Sequence, residues 1–200
     1  MLASGSPRRA ELARSEGWDF VIVPPPEAAE TEASPRGPAE SLEAFVTRLA
    51  RAKAEAVIAL GARGLVLACD TLSEVENLPL GKPRDRDDAR RMLRALSGRR
   101  HRVVSGVCLW PIDASDQCRE PMTAHAESEL FMPPLSEAFI AGYLDTGLWE
   151  GKAGACGFQD GHMPLELVAG SPSNVVGLPL ELVRELLSQL PNKSPSRHHE

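Results

Sequence analysis

The sequence predicts an α/β fold in which helices flank a mixed, twisted sheet, because segments of two kinds alternate along the chain. Short apolar or β-branched runs such as "WDFVIVP" at 18–24 and "LVLAC" at 65–69 favour strands. Between them, segments such as 41–60 carry apolar residues at helical spacing. Hydrophobic residues make up 42% of the 200 residues, which is ordinary for a globular chain with a buried core.

The first predicted elements are a short strand at 1–5 and a helix at 6–17. The helix has a start signal and a stop signal: Ser6 stands at the N-cap, Pro7 at the first helical position and Gly17 just beyond the end. This segment therefore predicts a strand that leads directly into a helix.

The next elements are a strand at 18–24, a Pro-rich acidic loop at 24–40 and a helix at 41–60. The run at 65–69 is apolar without interruption, which is typical of a strand that is buried on both faces. We expect this strand to end at Asp70, where the polar residues resume.

The middle of the chain predicts a helix at 85–96, strands at 101–110 and 124–132, and a short helix at 136–147. The first of these helices begins with acidic residues and stops at a Ser-Gly pair.

The last third begins with a Gly-rich irregular segment at 150–161, continues with a strand at 163–170, and ends with a helix at 178–190. We expect residues 1–190 to form one domain and 191–200 to be a disordered polar tail.

The charge balance argues against binding to nucleic acid or to a membrane surface, because the formal net charge is -6 and both partners require clustered basic residues. No two of the four cysteines have C-x-x-C spacing, so we expect free thiols rather than a zinc site. The sequence predicts neither a signal peptide nor a membrane span, and hence a cytoplasmic protein.

The first candidate site is the stretch "SGSPRR", in which Ser6, Arg8 and Arg9 stand at a predicted helix N-terminus. Orphan N–H groups, the two hydroxyl groups of Ser4 and Ser6 and two guanidinium groups together favour phosphate binding. The alternative is an ordinary N-cap with solvated arginines. A P-loop is excluded, because its G-x-x-x-x-G-K-[ST] pattern is absent.

Two further candidates lie in "CDT" and "LGKP". Asp70, at the predicted carboxyl end of a buried strand, could hold a divalent cation or orient a water molecule, or it could cap the next turn. Lys82 lies between a glycine and a proline that restrict its position, which suits a phosphate contact, although a solvated loop lysine would look the same.

Three glutamates in the Pro-rich loop, Glu27, Glu30 and Glu32, are either solvated or the source of a second carboxylate for a metal. Lys53 is either a site residue or a surface lysine of an amphipathic helix. Gln159 lies in the Gly-rich segment, which is either a flexible surface loop or part of a site, where the amide offers the donor and acceptor pair that can recognise the edge of a nucleobase.

Taken together, these motifs resemble the Maf family of nucleoside triphosphate pyrophosphatases. The matching stretches occur in the family's order from residue 2 to about 187: "LASGSPRRAEL", "RLARAKA", "CDT" with "LGKP", "MLRALSGRRHRV", "KAGACGFQDG" and "SNVVGLPL". The resemblance implies two lobes around a deep cleft, similar to the inosine triphosphate pyrophosphatases. It also implies hydrolysis between the α and β phosphates with Mg²⁺ or Mn²⁺, a cytoplasmic location, and the homodimers that several members form.

The resemblance also implies roles for individual residues. Phosphate and substrate contacts fall on Ser6, Arg8 and Arg9. The catalytic proton acceptor falls on Asp70, and lysines that face the triphosphate fall on Lys53 and Lys82. Three positions that tune base preference read Arg8, Thr71 and Gln159, the combination of the subgroup that acts on dTTP and UTP.

The chain departs from the family pattern at the metal side of the site. The family usually has Asp-Glu-Ser/Thr in the first long loop, whereas this chain has Ala29 before Glu30. We expect Glu30 and Asp70 to hold the metal, with Glu27 or Glu32 as substitutes for Glu30.

The predicted activity is hydrolysis of a dTTP- or UTP-type pyrimidine nucleotide to the monophosphate and pyrophosphate. The predicted partner is thus a small-molecule nucleoside triphosphate, with CTP and modified pyrimidines left open. The alternative is a non-catalytic, nucleotide-binding regulator of cell division, which would not need an acid at position 70.

Overall fold

The computed structural model describes residues 1–26, 29, 35–112 and 120–191. The strands of this part are β1 (Leu2–Ala3), β2 (Gly64–Val75), β3 (Leu78–Leu80), β4 (Arg99–Ile112), β5 (Met122–Met132) and β6 (Glu166–Ala169). The helices are α1 (Pro7–Ser15), α2 (Leu42–Ala59), α3 (Arg86–Leu96), α4 (Glu137–Asp145), α5 (Pro172–Val176) and α6 (Leu180–Ser188), with a 3₁₀ turn at Ala153–Ala155.

The strands form one mixed sheet in the order β1-β2-β4-β5-β6, which confirms the predicted fold class. β1 runs parallel to β2, and the other pairs are antiparallel. β4 pairs with one edge of β2 from Gly64 to Glu74. The other edge pairs with β1 at Leu67 and Ala68 and then with β3 at 73–75, where β2 and β3 form a hairpin.

Helices cover both faces of the sheet, and the alternation along β2 decides which side chain meets which helix. Val66 and Ala68 pack in one apolar cluster with α2. Leu67 and Cys69 point the other way and pack with residues of α1 and α6. A further cluster lies between α3, α4 and the end of β2.

Helix α2 approaches β4 more closely than a side chain would allow. A Cβ on Gly106 would overlap the backbone of Val46 and Thr47. Only glycine therefore permits this contact, which sets the height of α2 above the sheet.

The structure corrects the predicted end of the second strand. β2 does not stop at Asp70 but continues to Val75, because residues 71–74 pair with β4 and 73–75 also pair with β3. Asp70 is therefore part of the strand rather than a cap of the next turn.

The predicted strand at 18–24 is also wrong, apart from one bridge between Ile22 and Leu2. β1 has only two residues, so the segment gains two backbone hydrogen bonds with Leu2 and no ladder. β3 and α5 were not predicted, because they are only three and five residues long. No described helix is both long and apolar enough to cross a bilayer.

Candidate active site

A cavity of about 680 Å³ opens at the edge of β2, between its two neighbours β1 and β3. β1 pairs with Leu67 and Ala68, and β3 pairs with 73–75, so Asp70 and Thr71 lie in the gap between them. Both residues line the cavity, although they project from opposite faces of the strand. The gap thus makes a cleft that side chains from both layers can reach.

Lys53 and Asp70 form an ion pair at the side of the cavity nearest α2. The ammonium group donates to Oδ1 of Asp70 over 2.5 Å, and the side chains are only 7% and 13% exposed. Lys53 lies on the buried stripe of α2 with Val46, Ala50 and Val57, which excludes the surface-lysine alternative. The Asp70 carboxylate at the cavity is therefore paired, through Oδ1, with the positive charge of Lys53.

A second network holds the opposite wall. The guanidinium group of Arg9 donates to the carbonyl of Gly177 over 2.7 Å and to Oγ1 of Thr71 over 3.2 Å. The Thr71 and Ser105 hydroxyls share a hydrogen bond of 2.8 Å, and Ser105 donates to the carbonyl of Asn174 over 3.3 Å. Arg9 therefore ties α1 to β2 and to the end of α5.

Ser6 occupies the N-cap of α1 but, within the described part of the chain, its side chain makes no capping hydrogen bond. Ser4 takes over part of this work, because its Oγ accepts from the Ser6 N–H over 3.2 Å and from Arg9 over 3.4 Å. The predicted capping role of the Ser6 hydroxyl is thus wrong, and Ser6 lines the cavity.

The Gly-rich segment forms the rim opposite α1. Lys152 pairs with Asp160, and a Cβ on Gly157 would collide with that carboxylate. Gln159 precedes Asp160, and its exposed side chain lines the cavity. The ion pair therefore closes the loop that carries Gln159.

Lys82 reaches the cavity from the loop after β3. The carbonyl of its neighbour Gly81 accepts a hydrogen bond of 3.0 Å from the Gly154 N–H. The two loops that carry Lys82 and Lys152 are thus joined through their backbones.

The cavity is strongly cationic in an acidic protein. Among the described residues that line it, Asp70 is the carboxylate, and the charged nitrogen groups belong to Arg8, Arg9, Lys53, Lys82 and Lys152. Such a site attracts a polyanion despite the net charge of the chain.

The family model described as Maf-like protein matches residues 1–190. The chain belongs to the Maf family. Three curated relatives, each named dTTP/UTP pyrophosphatase, cover 94% of it. The relative from Rhodopirellula baltica is 44% identical with 80% of its own length matched. Those from Symbiobacterium thermophilum and Anaeromyxobacter dehalogenans are 42% and 45% identical, with 92% and 91% matched.

This Maf chain brings together nearly all of the residues that its sequence pointed to. The predicted residues that line one cavity are Ser6, Arg8, Arg9, Lys53, Asp70, Thr71, Lys82 and Gln159. Glu30, and with it Glu27 and Glu32, lies outside the described residues.

Ser4 and Ser6 were predicted together as the two hydroxyl groups at the start of α1, whereas Ser105 and His101 were not predicted as parts of this Maf site. These two are buried polar residues two positions either side of Val103 in β4, and His101 lines the cavity. A polar residue inside a buried strand is the signal that could have found them.

Proposed function

We propose that this Maf chain hydrolyses pyrimidine nucleoside triphosphates of the dTTP and UTP type between the α and β phosphates. The observation that carries the proposal is the Lys53–Asp70 ion pair in a cavity whose other charged side chains are arginines and lysines. One carboxylate among many cationic groups suits a reaction in which a base acts on water beside a polyanion. The names of the relatives support the substrate class.

The proposed step is attack of water on the α-phosphorus. A bond forms between the water oxygen and phosphorus, the bond from phosphorus to the α–β bridging oxygen breaks, and pyrophosphate leaves. Oδ2 of Asp70 accepts the water proton, since Lys53 already donates to Oδ1. Positioning and charge stabilisation supply most of the catalysis in such reactions, so no covalent nucleophile is needed.

We propose that the cationic side chains of the cavity bind the triphosphate and that the Gly-rich rim, which carries Gln159, binds the base. Arg8 lines the cavity, where its guanidinium group would contact a phosphate or a base. Thr71, already bonded to Arg9 and Ser105, is better placed to hold Arg9 than to turn towards a base. Gln159 would recognise the pyrimidine edge through its amide.

The residues present fit a hard divalent cation in part. Asp70 offers the oxygen ligand that Mg²⁺ and Mn²⁺ prefer, and no cluster of three or more metal-ligating side chains occurs within the described ranges. A second carboxylate would come from Glu30, or from Glu27 or Glu32. A bound Mg²⁺ or Mn²⁺ would offset charge on the phosphate oxygens.

The experiment that tests the proposal is incubation of the protein with a panel of nucleoside triphosphates and Mg²⁺ or Mn²⁺. Pyrophosphate and orthophosphate are then measured separately. We expect pyrophosphate from UTP and dTTP, with much lower kcat/KM for GTP and ATP. Orthophosphate alone would contradict the proposed bond. Tight nucleotide binding without turnover would favour the non-catalytic regulator.

A further inference from the structure

An ion pair between Lys152 and Asp160 spans the Gly-rich rim of the cavity, and the chemistry proposed above does not use it. The Lys152 ammonium group donates to the Asp160 carboxylate, and the two side chains are only 11% and 25% exposed. Lys152 lines the cavity, whereas Asp160, although it is a described residue of the same segment, lies outside the lining. The pair therefore places a carboxylate behind a lysine of the cavity wall.

The ion pair lies directly against the backbone of Gly157. A Cβ at this position would overlap the Asp160 carboxylate and would lie 3.1 Å from Nζ of Lys152. Gly157 does not have a positive φ, so its backbone conformation is open to other residues. Space for the ion pair, rather than the conformation of the backbone, thus explains a glycine at this position.

The ion pair also joins the two ends of the segment that carries Gln159. Residues 156–165 form neither a helix nor a strand, so their shape depends on local contacts. Before them, the Gly154 N–H donates to a carbonyl of the loop after β3 over 3.0 Å. Beyond Gln159, the next residue is Asp160, which Lys152 holds. The pair thus fixes the backbone that presents Gln159 to the cavity.

The ion pair changes the charge that the rim presents to a ligand. The arginines and lysines of the cavity attract phosphates wherever their charge is not offset. At the rim, the Asp160 carboxylate offsets the charge of Lys152 at hydrogen-bond distance. Because a pyrimidine base is uncharged, a rim without net charge favours the base over a phosphate.

We propose that Asp160 is a positioning residue that determines base specificity: through Lys152 it fixes the segment that presents Gln159, and it offsets the lysine charge at the rim. The proposal rests on the proposed function, in which Gln159 recognises the pyrimidine edge. Loss of the carboxylate should therefore weaken recognition of the base and strengthen binding of a polyphosphate that has no base.

The test compares variants that break the ion pair in different ways. Asp160→Asn removes the charge of the carboxylate, and Gly157→Ala displaces the carboxylate without removing a charge. Gln159→Ala, alone and combined with Asp160→Asn, removes the amide that recognises the base. Asp145→Asn is the matched control, because Asp145 forms an exposed ion pair with Arg86 and is a described residue outside the cavity lining.

Two quantities are measured for each variant, with thermal unfolding as the check that it is folded. The first is the ratio of kcat/KM for UTP to kcat/KM for GTP. The second is the inhibition constant of inorganic tripolyphosphate, which resembles the charged part of the substrate and has no base. A loss of packing alone would weaken both substrates and the inhibitor, whereas the proposal requires the inhibitor to bind more tightly.

We expect Asp160→Asn to lower the UTP-to-GTP ratio about tenfold and to strengthen inhibition by tripolyphosphate by a similar factor. Gly157→Ala should lower the ratio in the same direction. The double variant should have the same ratio as Gln159→Ala, because Asp160 acts through Gln159. Asp145→Asn should match the wild type in both quantities.

The proposal is overturned if folded Asp160→Asn keeps the wild-type ratio, or if it binds tripolyphosphate no more tightly than the wild type. Additive losses of the ratio in the double variant would also overturn it. If Asp160→Asn does not fold, Gly157→Ala decides, and an unchanged ratio in that variant overturns the proposal. Absence of pyrophosphate release from UTP by the wild type contradicts the proposed function instead, and calorimetric binding of tripolyphosphate then still tests the charge of the rim.

Discussion

The Lys53 ammonium group donates a 2.5 Å hydrogen bond to Oδ1 of Asp70 across the layer between α2 and β2, and both side chains are almost buried. When one partner of a buried ion pair is removed, the other charge stays buried without compensation. The folded protein therefore loses more stability than when an exposed pair is broken. Asp70 also lines the cavity. The geometry of the pair depends on the height of α2, which Gly106 sets.

Replacement of Asp70 by Asn should lower kcat by about 100-fold or more, because the amide cannot accept the water proton. The measurement is pyrophosphate release from UTP at saturating substrate. Asp145→Asn serves as the control, since Asp145 is an exposed helix residue paired with Arg86. A near-normal kcat for a folded Asp70→Asn variant would remove Asp70 from the role of base.

Gly106→Ala should destabilise the protein by about 3 kcal/mol and reduce activity, because the added methyl group overlaps the α2 backbone at Val46 and Thr47. Denaturant unfolding measures the change. Gly142→Ala is the matched control, since nothing lies within 4 Å of a Cβ at that helical position. The control should be neutral or slightly stabilising. Equal stability of the two variants would argue against the close approach of α2.

The adjacent arginines should respond differently to the same substitution. Arg9→Met removes the donors that reach Gly177 and Thr71, so we expect a loss of about 2 kcal/mol and a Tm lower by roughly 4–8 °C. Arg8→Met should leave Tm unchanged and raise KM for UTP about tenfold, because Arg8 would contact substrate. Thermal unfolding and steady-state kinetics decide between them. A Tm loss in Arg8→Met that matches Arg9→Met would contradict this division of roles.

The sequence predicted the alternating architecture well, and its main error shows what pattern reading misses. The apolar run of β2 stops at Cys69, so the strand was expected to end at the polar residues that follow, Asp70 and Thr71. The polar residues that follow, including Asp70, Thr71 and Ser73, continue the strand because they face the cavity rather than solvent. In the sequence, polar strand residues that line a cavity therefore resemble the polar residues of a loop.

The site residues divide in the same way. Arg8, Asp70 and Lys82 stand in short motifs, and all three line the cavity, whereas helical spacing alone left Lys53 as either a site residue or a surface lysine. The structure assigns Lys53 to the buried stripe of α2. His101 and Ser105 were missed, because alternation shows that they share a face but not which face lines a cavity.

His101 should make stability depend on pH in the acid range. Its pKa is about 4 in the folded protein and 6.5 without burial, so the unfolded chain binds the additional proton first. Stability from this group is complete above about pH 6.5 and falls by up to about 3 kcal/mol as the pH drops towards 4. Unfolding free energies at several pH values should show a steeper decline for wild type than for His101→Asn. Parallel profiles would contradict the shift.

The carboxylate on the metal side can be found by three parallel substitutions, Glu27→Gln, Glu30→Gln and Glu32→Gln. We expect Glu30→Gln to raise the Mn²⁺ concentration needed for half-maximal activity, because an amide oxygen is a weaker ligand than a carboxylate. The other two should follow the wild-type titration. A shift in Glu27→Gln or Glu32→Gln instead would transfer the role to that residue.

The central claim is that water, activated by Asp70, attacks the α-phosphorus. Hydrolysis of UTP in water enriched in ¹⁸O tests it directly, with mass spectrometry of both products after a single turnover. We expect one ¹⁸O atom in UMP and none in pyrophosphate, with the labelled product almost absent in Asp70→Asn. Label in pyrophosphate would mean attack on the β-phosphorus and would contradict a role for Asp70-activated water at the α-phosphorus.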